Sequence, residues 1–256
     1  MQNLENKIIL ITGASSGIGK ACAIEFAKLK AKLILTARRK VKIDMLAKEL
    51  SNKYKVEVKC LQMDVRNFDE VKNMLDSLED DWKNIDVLIN NAGLARGLDK
   101  IFDGKLEDWN EMIDTNIKGL LNVTRVISPI MVKRKMGHII NIGSTAGHEV
   151  YVNGNVYSAT KFAVNSLTQS FRLDMLDKGI KVTSVDPGMV YTEFSKVRFD
   201  GDETKAENVY KGITPLSPED VANTIVFCTT RPNNVNINEV ILTPLYQASS
   251  TQVFRK

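Results

Sequence analysis

The stretch KIILITGASSGIG, residues 7–19, decides the fold, because an apolar run leads into a glycine-rich turn and then into a helical pattern. The run is apolar at nearly every position, which predicts a strand over Lys7–Thr12 covered on both faces, as in a parallel sheet. A helix is predicted over Ile18–Leu29, and glycine allows the connecting turn to be tight. These pieces predict the first β-turn-α unit of a parallel α/β sheet.

The same alternation of strand and helix continues along the chain. Further strands are predicted at Lys32–Ala37, Val56–Met63, Val87–Asn90, His138–Gly143, Lys181–Val185 and Glu239–Thr243. Further helices are predicted at Ile43–Lys53, Phe68–Leu78, Leu106–Lys133, Tyr157–Leu176 and Pro218–Thr229. No linker or repeat interrupts the series. We therefore predict one doubly wound α/β (Rossmann) domain over residues 1–256, with about seven parallel strands and helices on both faces.

One segment, residues 189–216, departs from this alternation of strands and helices. It contains Gly201, Gly212, Pro215 and a short helical pattern near Lys205–Tyr210. Loops of this length in compact domains are usually functional. Because the segment follows the predicted sixth strand, it should lie over the carboxyl ends of the strands, where open α/β sheets bind ligands. We predict a substrate lid at about 189–216.

Composition excludes several classes of protein. The chain has 256 residues, of which 43% are hydrophobic and 26% charged, and this argues against disorder. Cys22, Cys60 and Cys228 are odd in number and far apart, which argues against a disulfide framework and favours free thiols in a reducing cytosol. With only two histidines, no metal site is predicted.

The charge pattern and hydropathy argue against two kinds of partner. The net charge of +4 comes from dispersed lysines, so no nucleic-acid partner is predicted. The first residues lack the layout of a signal peptide, and no apolar run approaches the length of a membrane span. We predict a cytoplasmic protein with a small-molecule substrate and no membrane partner.

The glycine-rich turn predicts a phosphate site, because the amides that open the next helix point at an anion. The glycine spacing differs from the GxGxxG fingerprint, and any βα turn can use glycine, so the turn alone is a weak signal. The candidate cofactor-binding residues are Gly13, Ser15, Ser16, Gly17, Ile18 and Gly19.

The end of the second predicted strand indicates which nucleotide binds. An NAD site usually has Asp or Glu there, whereas this chain has Arg38 and Arg39. Arginine pairs with a 2′-phosphate through charge-assisted bonds, so NADP(H) is predicted. The alternative is that both arginines are solvated loop residues.

Further motifs resemble one family over nearly the whole chain. NNAG at 90–93, Ser144, YSATK at 157–161, Asn116 and Pro187-Gly188 follow in the order typical of the short-chain dehydrogenase/reductase family. The resemblance implies an NADP-dependent enzyme acting on CH–OH groups, with Tyr157 as acid or base. It also implies that Tyr157 and Lys161 contact the cofactor, with Lys161 holding ribose hydroxyls. Ser144 should bind the substrate oxygen, and Asn116 should hold a water in a proton relay.

Elementary chemistry supports the tyrosine and lysine pair. Four residues apart on a predicted helix, Tyr157 and Lys161 share one face. A nearby ammonium should pull the tyrosine pKa down from about 10. Each residue alone has an ordinary explanation: a helix-surface pair for Tyr157 and Lys161, a cap for Ser144, a buried hydrogen bond for Asn116. Their joint occurrence in order is what favours catalysis.

The resemblance also implies further cofactor contacts. Asp64 and Val65 should border the adenine. Asn90, Ala92 and Gly93 should line the ribose side and stabilise the central strands. Pro187, Gly188, Val190 and Thr192 should meet the nicotinamide carboxamide. Thr192 has an alternative role as the N-cap of a lid helix.

The second half resembles a narrower group, the NADP-dependent 3-hydroxy acid dehydrogenases. The residues that carry this are GNVY at 154–157, EFSKVRF at 193–199, KAENVY at 205–210 and the tail from Gln247 to Arg255. A 3-hydroxy acid such as L-serine, L-allo-threonine or 3-hydroxypropionate is implied. The alternative enzyme is a carbonyl reductase for uncharged ketones or aldehydes. A third alternative, an idle NADPH sensor, would be marked by loss of Tyr157, Lys161 or Ser144.

A 3-hydroxy acid needs a cation for its carboxylate. Arg198 is the candidate, because a guanidinium matches a carboxylate; the alternative is a solvent pairing with Asp200 or Asp202. His148 stands where the group often has arginine, so it is a second candidate substrate contact that would make binding pH-dependent. Arg96 is a further cation that could compensate.

The predicted helices Leu106–Lys133 and Tyr157–Leu176 are apolar on more than one face. The resemblance implies that they form subunit contacts in a homotetramer, with the tail at about 243–256 in another contact. The alternative is deep burial of both helices within their own fold.

Overall fold

Seven strands form one parallel sheet in the computed structural model, which describes residues 3–256. The strands are β1 Ile8–Thr12, β2 Lys32–Ala37, β3 Val58–Gln62, β4 Val87–Asn90, β5 Gly137–Ile142, β6 Ile180–Pro187 and β7 Glu239–Leu242. Their order is β3-β2-β1-β4-β5-β6-β7, so the chain reverses direction across the sheet between β1 and β4. The predicted doubly wound α/β class is confirmed. Met1 and Gln2 of the predicted domain lie outside the described residues.

Helices cover both faces of this sheet. They are α1 Gly17–Lys28, α2 Lys40–Tyr54, α3 Phe68–Asp76, α4 Asp80–Lys83, α5 Leu106–Ile113, α6 Leu120–Arg134, α7 Asn155–Asp174, α8 Phe194–Arg198, α9 Glu203–Asn208 and α10 Pro218–Thr229. No helix within residues 3–256 combines the length and the apolar character needed to cross a membrane.

The apolar strand pattern has a direct structural cause. Every residue of β1, β4 and β5 is buried, because helices pack on both sides of these central strands. One core lies between the sheet and α1 with α10, around Phe26 and Ile225. The other lies between the sheet and α3 with α6, around Leu75 and Ile127.

The prediction of a single regular helix over Leu106–Lys133 is wrong in the middle of that range. A π-helical segment, Asp114–Gly119, separates α5 from α6. Asn116 in this segment accepts a bond from the Leu94 amide (2.9 Å) and donates to the Leu94 carbonyl (2.8 Å). The widened turn thus directs Asn116 into the interior, in keeping with the frequent use of π-bulges at functional sites.

The predicted lid contains two short helices rather than one. The pattern near Lys205–Tyr210 corresponds to α9, which Asp202 caps by accepting a bond from the Lys205 amide (3.0 Å). The other helix, α8, begins two residues after Thr192, where the alternative role of Thr192 as an N-cap places a helix. The bridge between Val190 and Leu216 closes the base of the segment.

The tail reaches back to the lid of its own chain. The Lys256 amide donates to the Gly212 carbonyl (2.9 Å), and the Arg255 guanidinium donates to the Val209 carbonyl (3.1 Å). Residues that the resemblance assigns to a subunit contact therefore also hold the lid in place.

Candidate active site

A long cleft opens at the carboxyl ends of the strands, across the β1/β4 reversal point. Its walls include the glycine-rich turn, the end of β2, the segment after β4, the end of β5, α7 and the lid. Ligands of open α/β sheets bind at such reversal points. Most of the sequence-predicted site residues line this cleft. The residues that do not line it are Gly19, Asn90, Asn116, His148 and Arg198.

The glycine-rich turn is shaped so that only glycine fits at its tightest points. Gly13 and Gly17 have positive φ angles of 65° and 52°. A Cβ atom at Gly19 would lie 2.5 Å from the Gly13 carbonyl oxygen. Ser16 precedes α1 without capping it through its side chain, which leaves the first amides of the helix for an anion. This cradle fits a dinucleotide pyrophosphate.

Thr12 and Asn91 fasten the turn to the neighbouring strand. Thr12 Oγ1 accepts bonds from the amides of Asn91 and Ala92, both at 3.0 Å. Asn91 Nδ2 in turn donates to the Thr12 carbonyl (2.9 Å). Sequence reasoning missed Asn91, although its place in the NNAG motif was the available signal.

Asn90 requires a correction. It was expected to line the ribose side and to stabilise the central strands, and only the second role is seen: its side chain is buried in the sheet and donates to Thr124 Oγ1 (3.0 Å) and Asn141 Oδ1 (2.9 Å). It therefore ties β4 to β5 and α6, whereas Ala92 and Gly93 do line the cleft.

The adenosine side of the cleft is rich in positive charge. Arg39 Nη2 donates to the hydroxyls of Ser15 (2.9 Å) and Ser16 (2.7 Å). Arg38 lies at the same end, half exposed, with its guanidinium 3.7 Å from Glu111. These residues fit a 2′-phosphate, and Glu193 of the lid bridges Arg39 (2.8 Å) to Lys42 (3.0 Å) above them.

The adenine-side and lid-side residues lie where they were expected. Asp64 and Val65 line the cleft, although the Asp64 carboxylate already pairs with Arg66 at 2.6 Å. Pro187, Gly188, Val190 and Thr192 line it too. Thr192 Oγ1 also accepts a bond from the Phe194 amide (3.1 Å) at the start of α8, so both interpretations of Thr192 fit the geometry.

The four candidate catalytic residues form one group. Lys161 Nζ donates to the Ile142 carbonyl (2.9 Å) and lies 5.8 Å from the centre of the Tyr157 ring. Ser144 follows β5 and accepts a bond from the Ala146 amide (3.1 Å), and its hydroxyl lies near enough to Tyr157 to lower the pKa of that phenol. Asn116 lies behind this group, where it donates to Thr160 Oγ1 (3.0 Å).

Gly93 separates Asn116 from Lys161. A Cβ atom there would meet Asn116 Oδ1 at 3.3 Å and Lys161 Nζ at 3.9 Å. Both side chains therefore lie close to Gly93, and the water relay between them stays a prediction.

The expected direction of the tyrosine pKa is wrong. Burial raises the pKa of Tyr157, and the Arg198 guanidinium and the Ser144 hydrogen bond offset this only in part. Burial also lowers the pKa of Lys161 to about 8, opposed by the negative charge of Asp186. Desolvation of both groups outweighs the mutual stabilisation expected from their spacing.

Arg198 lies among aromatic rings beside Tyr157. Its Cζ atom is 5.0 Å from the ring centre of Tyr157, 5.5 Å from that of Phe194 and 5.8 Å from that of Tyr151. Nη2 donates to the Tyr151 hydroxyl (2.6 Å), while the buried Nε finds no hydrogen-bond partner among residues 3–256. An unsatisfied buried guanidinium donor is suited to an acidic ligand.

The two acids suggested as alternative partners of Arg198 have other roles. Asp200 accepts a bond from Arg96 (2.9 Å), and Asp202 caps α9. Arg96 also donates to Glu111 (2.7 Å) and to the Val197 carbonyl (2.8 Å). Arg96 thus fastens the lid instead of offering a free cation to substrate, which corrects the compensating role considered for it.

His148 lies outside the cleft lining, contrary to expectation. Its Nε2 atom bonds to Asp186 (2.9 Å) and lies 3.7 Å from Glu239. These three residues offer ligand atoms within 4.8 Å of one another, but Asp186 is already satisfied by His148 and Ser184. We remove His148 from the candidate substrate contacts.

Thr115 is a further cleft residue that sequence reasoning missed. It is buried, lines the cleft and has a hydroxyl without a partner in the described part of the chain. Its position before Asn116 in the π-helical segment was the available signal.

Comparisons with known proteins agree with this geometry. The family model described as short chain dehydrogenase matches residues 7–203. The chain is 48% identical to the NADP-dependent 3-hydroxy acid dehydrogenase of Schizosaccharomyces pombe, over 100% of this chain and 99% of that protein. It is 41% identical to the serine 3-dehydrogenase of Agrobacterium fabrum, over 97% and 98% of the two chains.

A solved structure shows the same overall shape. It is a closed form of serine dehydrogenase complexed with NADP+, with a TM-score of 0.91 and 42% identity. The match covers 97% of this chain and 99% of the other.

Proposed function

The chain belongs to the short chain dehydrogenase family and is an NADP-dependent oxidoreductase acting on CH–OH groups. We propose that it interconverts a 3-hydroxy acid and its 3-oxo acid. L-Serine, L-allo-threonine and 3-hydroxypropionate are the leading substrates. The observation that carries this proposal is the buried Nε of Arg198 beside Tyr157, which has no hydrogen-bond partner within residues 3–256. A carboxylate two carbon atoms from the reacting hydroxyl would satisfy that donor.

The proposed chemistry assigns a proton-transfer role to Tyr157. When bound, NADP(H) exchanges a hydride with the substrate carbon. Tyr157 gives a proton to the carbonyl oxygen during reduction or accepts one from the alcohol during oxidation. Its raised pKa keeps it protonated at neutral pH, which suits the acid role. Ser144 donates a hydrogen bond to the substrate oxygen and stabilises charge that develops there.

Lys161 and Asn116 would resupply the proton. With a pKa of about 8, Lys161 can exchange protons near neutral pH more readily than an ordinary lysine. Asn116 would hold the water that links Lys161 to solvent.

The cofactor would occupy the cleft along its whole length. Gly13, Gly17 and Gly19 would cradle the pyrophosphate, with Ser15, Ser16 and Ile18 beside it. Arg38 and Arg39 would hold the 2′-phosphate, and Asp64 and Val65 the adenine. Ala92, Gly93, Lys161, Pro187, Gly188, Val190 and Thr192 would line the nicotinamide half.

We also propose a cytoplasmic homotetramer. Leu173 and Leu176, at and just beyond the end of α7, are each 75% exposed, and Phe162 of α7 is 42% exposed. Large apolar side chains grouped along one helix favour a subunit contact over free solvent.

The decisive experiment measures NADP+ reduction at 340 nm. The purified protein is offered L-serine, L-allo-threonine, 3-hydroxypropionate, 3-hydroxyisobutyrate and several uncharged alcohols. Arg198→Ala is measured beside Arg231→Ala, a surface arginine that stacks on Phe227 at 4.2 Å. We expect activity on the acids that falls at least tenfold in kcat/KM in Arg198→Ala and stays unchanged in Arg231→Ala.

Activity confined to uncharged alcohols would contradict the hydroxy-acid proposal. It would favour the carbonyl reductase, for which the aromatic rings of Tyr151 and Phe194 would form the apolar wall. NADPH binding without any turnover would instead favour the sensor.

A further inference from the structure

Tyr151 meets the Arg198 guanidinium from the side of the loop that precedes α7. The Tyr151 hydroxyl accepts a hydrogen bond from Arg198 Nη2 at 2.6 Å. Its ring lies 5.8 Å from Arg198 Cζ. The residue was not predicted as part of any site, and it lies between the strand that supplies Ser144 and the helix that supplies Tyr157.

The sequence around Tyr151 is built to hold its ring in place. A Cβ atom at Gly154 would lie 2.5 Å from the Tyr151 ring, so glycine is needed for the ring to lie against the start of α7. The Gly154 amide donates to the Tyr151 carbonyl (2.9 Å), which closes this turn. The hydroxyl is therefore fixed relative to Tyr157, three residues after Gly154.

Two hydrogen-bond donors remain unused at this contact. The Tyr151 oxygen accepts from Arg198, which leaves its own hydrogen free to donate. The second donor is the buried Nε–H of Arg198, which has no partner within residues 3–256. Burial raises the pKa of Tyr151, and Arg198 opposes this only in part, so the hydroxyl keeps its proton.

We propose that Tyr151 is a specificity-determining residue that acts with Arg198 as a two-donor clamp for the substrate carboxylate. The hydroxyl holds the guanidinium in place and donates its own hydrogen to the same carboxylate. A neutral analogue such as an ester offers these donors only an uncharged acceptor and gains much less from them, so Tyr151 distinguishes acids from their neutral analogues. This inference rests on the proposed hydroxy-acid function and adds a second residue to it.

The test compares an acid with its ester, because the ester removes the charge while keeping the reacting hydroxyl. KM and kcat are measured for 3-hydroxypropionate and methyl 3-hydroxypropionate with the wild-type protein and Tyr151→Phe. The matched control is Tyr191→Phe, since Tyr191 is an exposed lid tyrosine packed edge-on against Tyr210. Phenylalanine keeps the ring against Gly154, so folding should be preserved, and the Tm is measured to verify this.

We expect Tyr151→Phe to raise KM for the acid ten- to hundredfold, with kcat reduced less than threefold and KM for the ester raised less than threefold. The magnitude is typical of a lost hydrogen bond to a charged group. Tyr191→Phe should leave both substrates unaffected. NADPH affinity, measured by fluorescence, should be the same in all three proteins.

Three results would overturn the clamp. Equal rises in KM for acid and ester would show that Tyr151 only shapes the cleft. An unchanged KM for the acid in Tyr151→Phe, with activity lost in Arg198→Ala, would leave the hydroxy-acid function intact and assign the carboxylate to Arg198 alone. If the wild-type protein does not oxidise the acid, the proposed function fails first, and the clamp fails with it.

Discussion

The two halves of the cleft hold their polar groups by different physical means. On the adenosine side, backbone shape dominates: glycines with positive φ angles and close packing leave amides exposed, and Thr12 and Asn91 fasten the turn to β4. On the substrate side, desolvated ionisable side chains dominate: buried Lys161 and half-buried Tyr157 and Arg198. The first half depends on the absence of side-chain atoms, and the second on the cost of removing charge from water.

This difference predicts that substitutions can remove the chemistry and the cofactor binding independently of each other. A change on the substrate side should remove chemistry while leaving the cofactor bound. A change in the glycine turn should weaken cofactor binding while the catalytic group stays intact.

The largest effect is expected for Tyr157→Phe, on the substrate side of the cleft. Loss of the proton donor should lower kcat by at least ~10³-fold. NADPH binding, followed by fluorescence, should change less than twofold because the cofactor cradle is untouched. Retention of more than a tenth of the wild-type kcat would contradict the acid/base assignment.

A smaller effect is expected for Gly19→Ala on the adenosine side. The new Cβ would lie 2.5 Å from the Gly13 carbonyl oxygen, so the turn must shift. We expect NADPH affinity to fall at least tenfold and the unfolding free energy to fall by about 1–3 kcal/mol.

Gly137→Ala is the matched control for that change. Its Cβ would be equally crowded, 2.5 Å from Met131 Sδ, but it lies at the opposite end of the sheet. It should cost stability without weakening NADPH binding. Equal losses of affinity in both variants would mean that the turn has no special role.

The smallest effect concerns stability and comes from Lys161. Its pKa is about 8 in the fold and about 10.5 when unfolded, so at pH 7 burial of the ammonium is a penalty. Between about pH 8 and 10.5 the folded protein has lost this proton while the unfolded chain keeps it, so the unfolding free energy rises with pH there. Lys161→Met should therefore be inactive yet a few degrees more stable at pH 7, with an advantage that shrinks towards pH 10.

Thermal unfolding at pH 7 and at pH 9.5 tests this, with Lys72→Met of α3 as an exposed-lysine control. If the gain in Tm of Lys161→Met equals that of Lys72→Met, or does not change with pH, burial of the Lys161 ammonium carries no such cost in stability.

The sequence predicted the adenosine side better than the substrate side. Strands buried on both faces appear as continuous apolar runs, and a tight turn appears as glycine spacing, because both are local signals. The carboxyl-end position of the cleft followed from strand order alone.

The errors arose where the outcome depends on distant contacts. His148 bonds to Asp186 on another strand, and Asn90 bonds to Thr124 and Asn141 across the sheet. The pKa of Tyr157 depends on burial under a lid whose helix α8 has no strong periodic signal. None of these partners is near in the sequence, so spacing alone could not find them.

The π-helical segment Asp114–Gly119 makes this stretch of chain more sensitive to insertions and deletions than to substitutions. Lys118 has a side chain 64% exposed, so many replacements should be harmless there. Loss of a single residue would instead restore a regular helix and rotate all that precedes it by roughly 100°. Trp109 and Met112 would then leave the cluster around Leu94, and Asn116 would lose its two hydrogen bonds with Leu94.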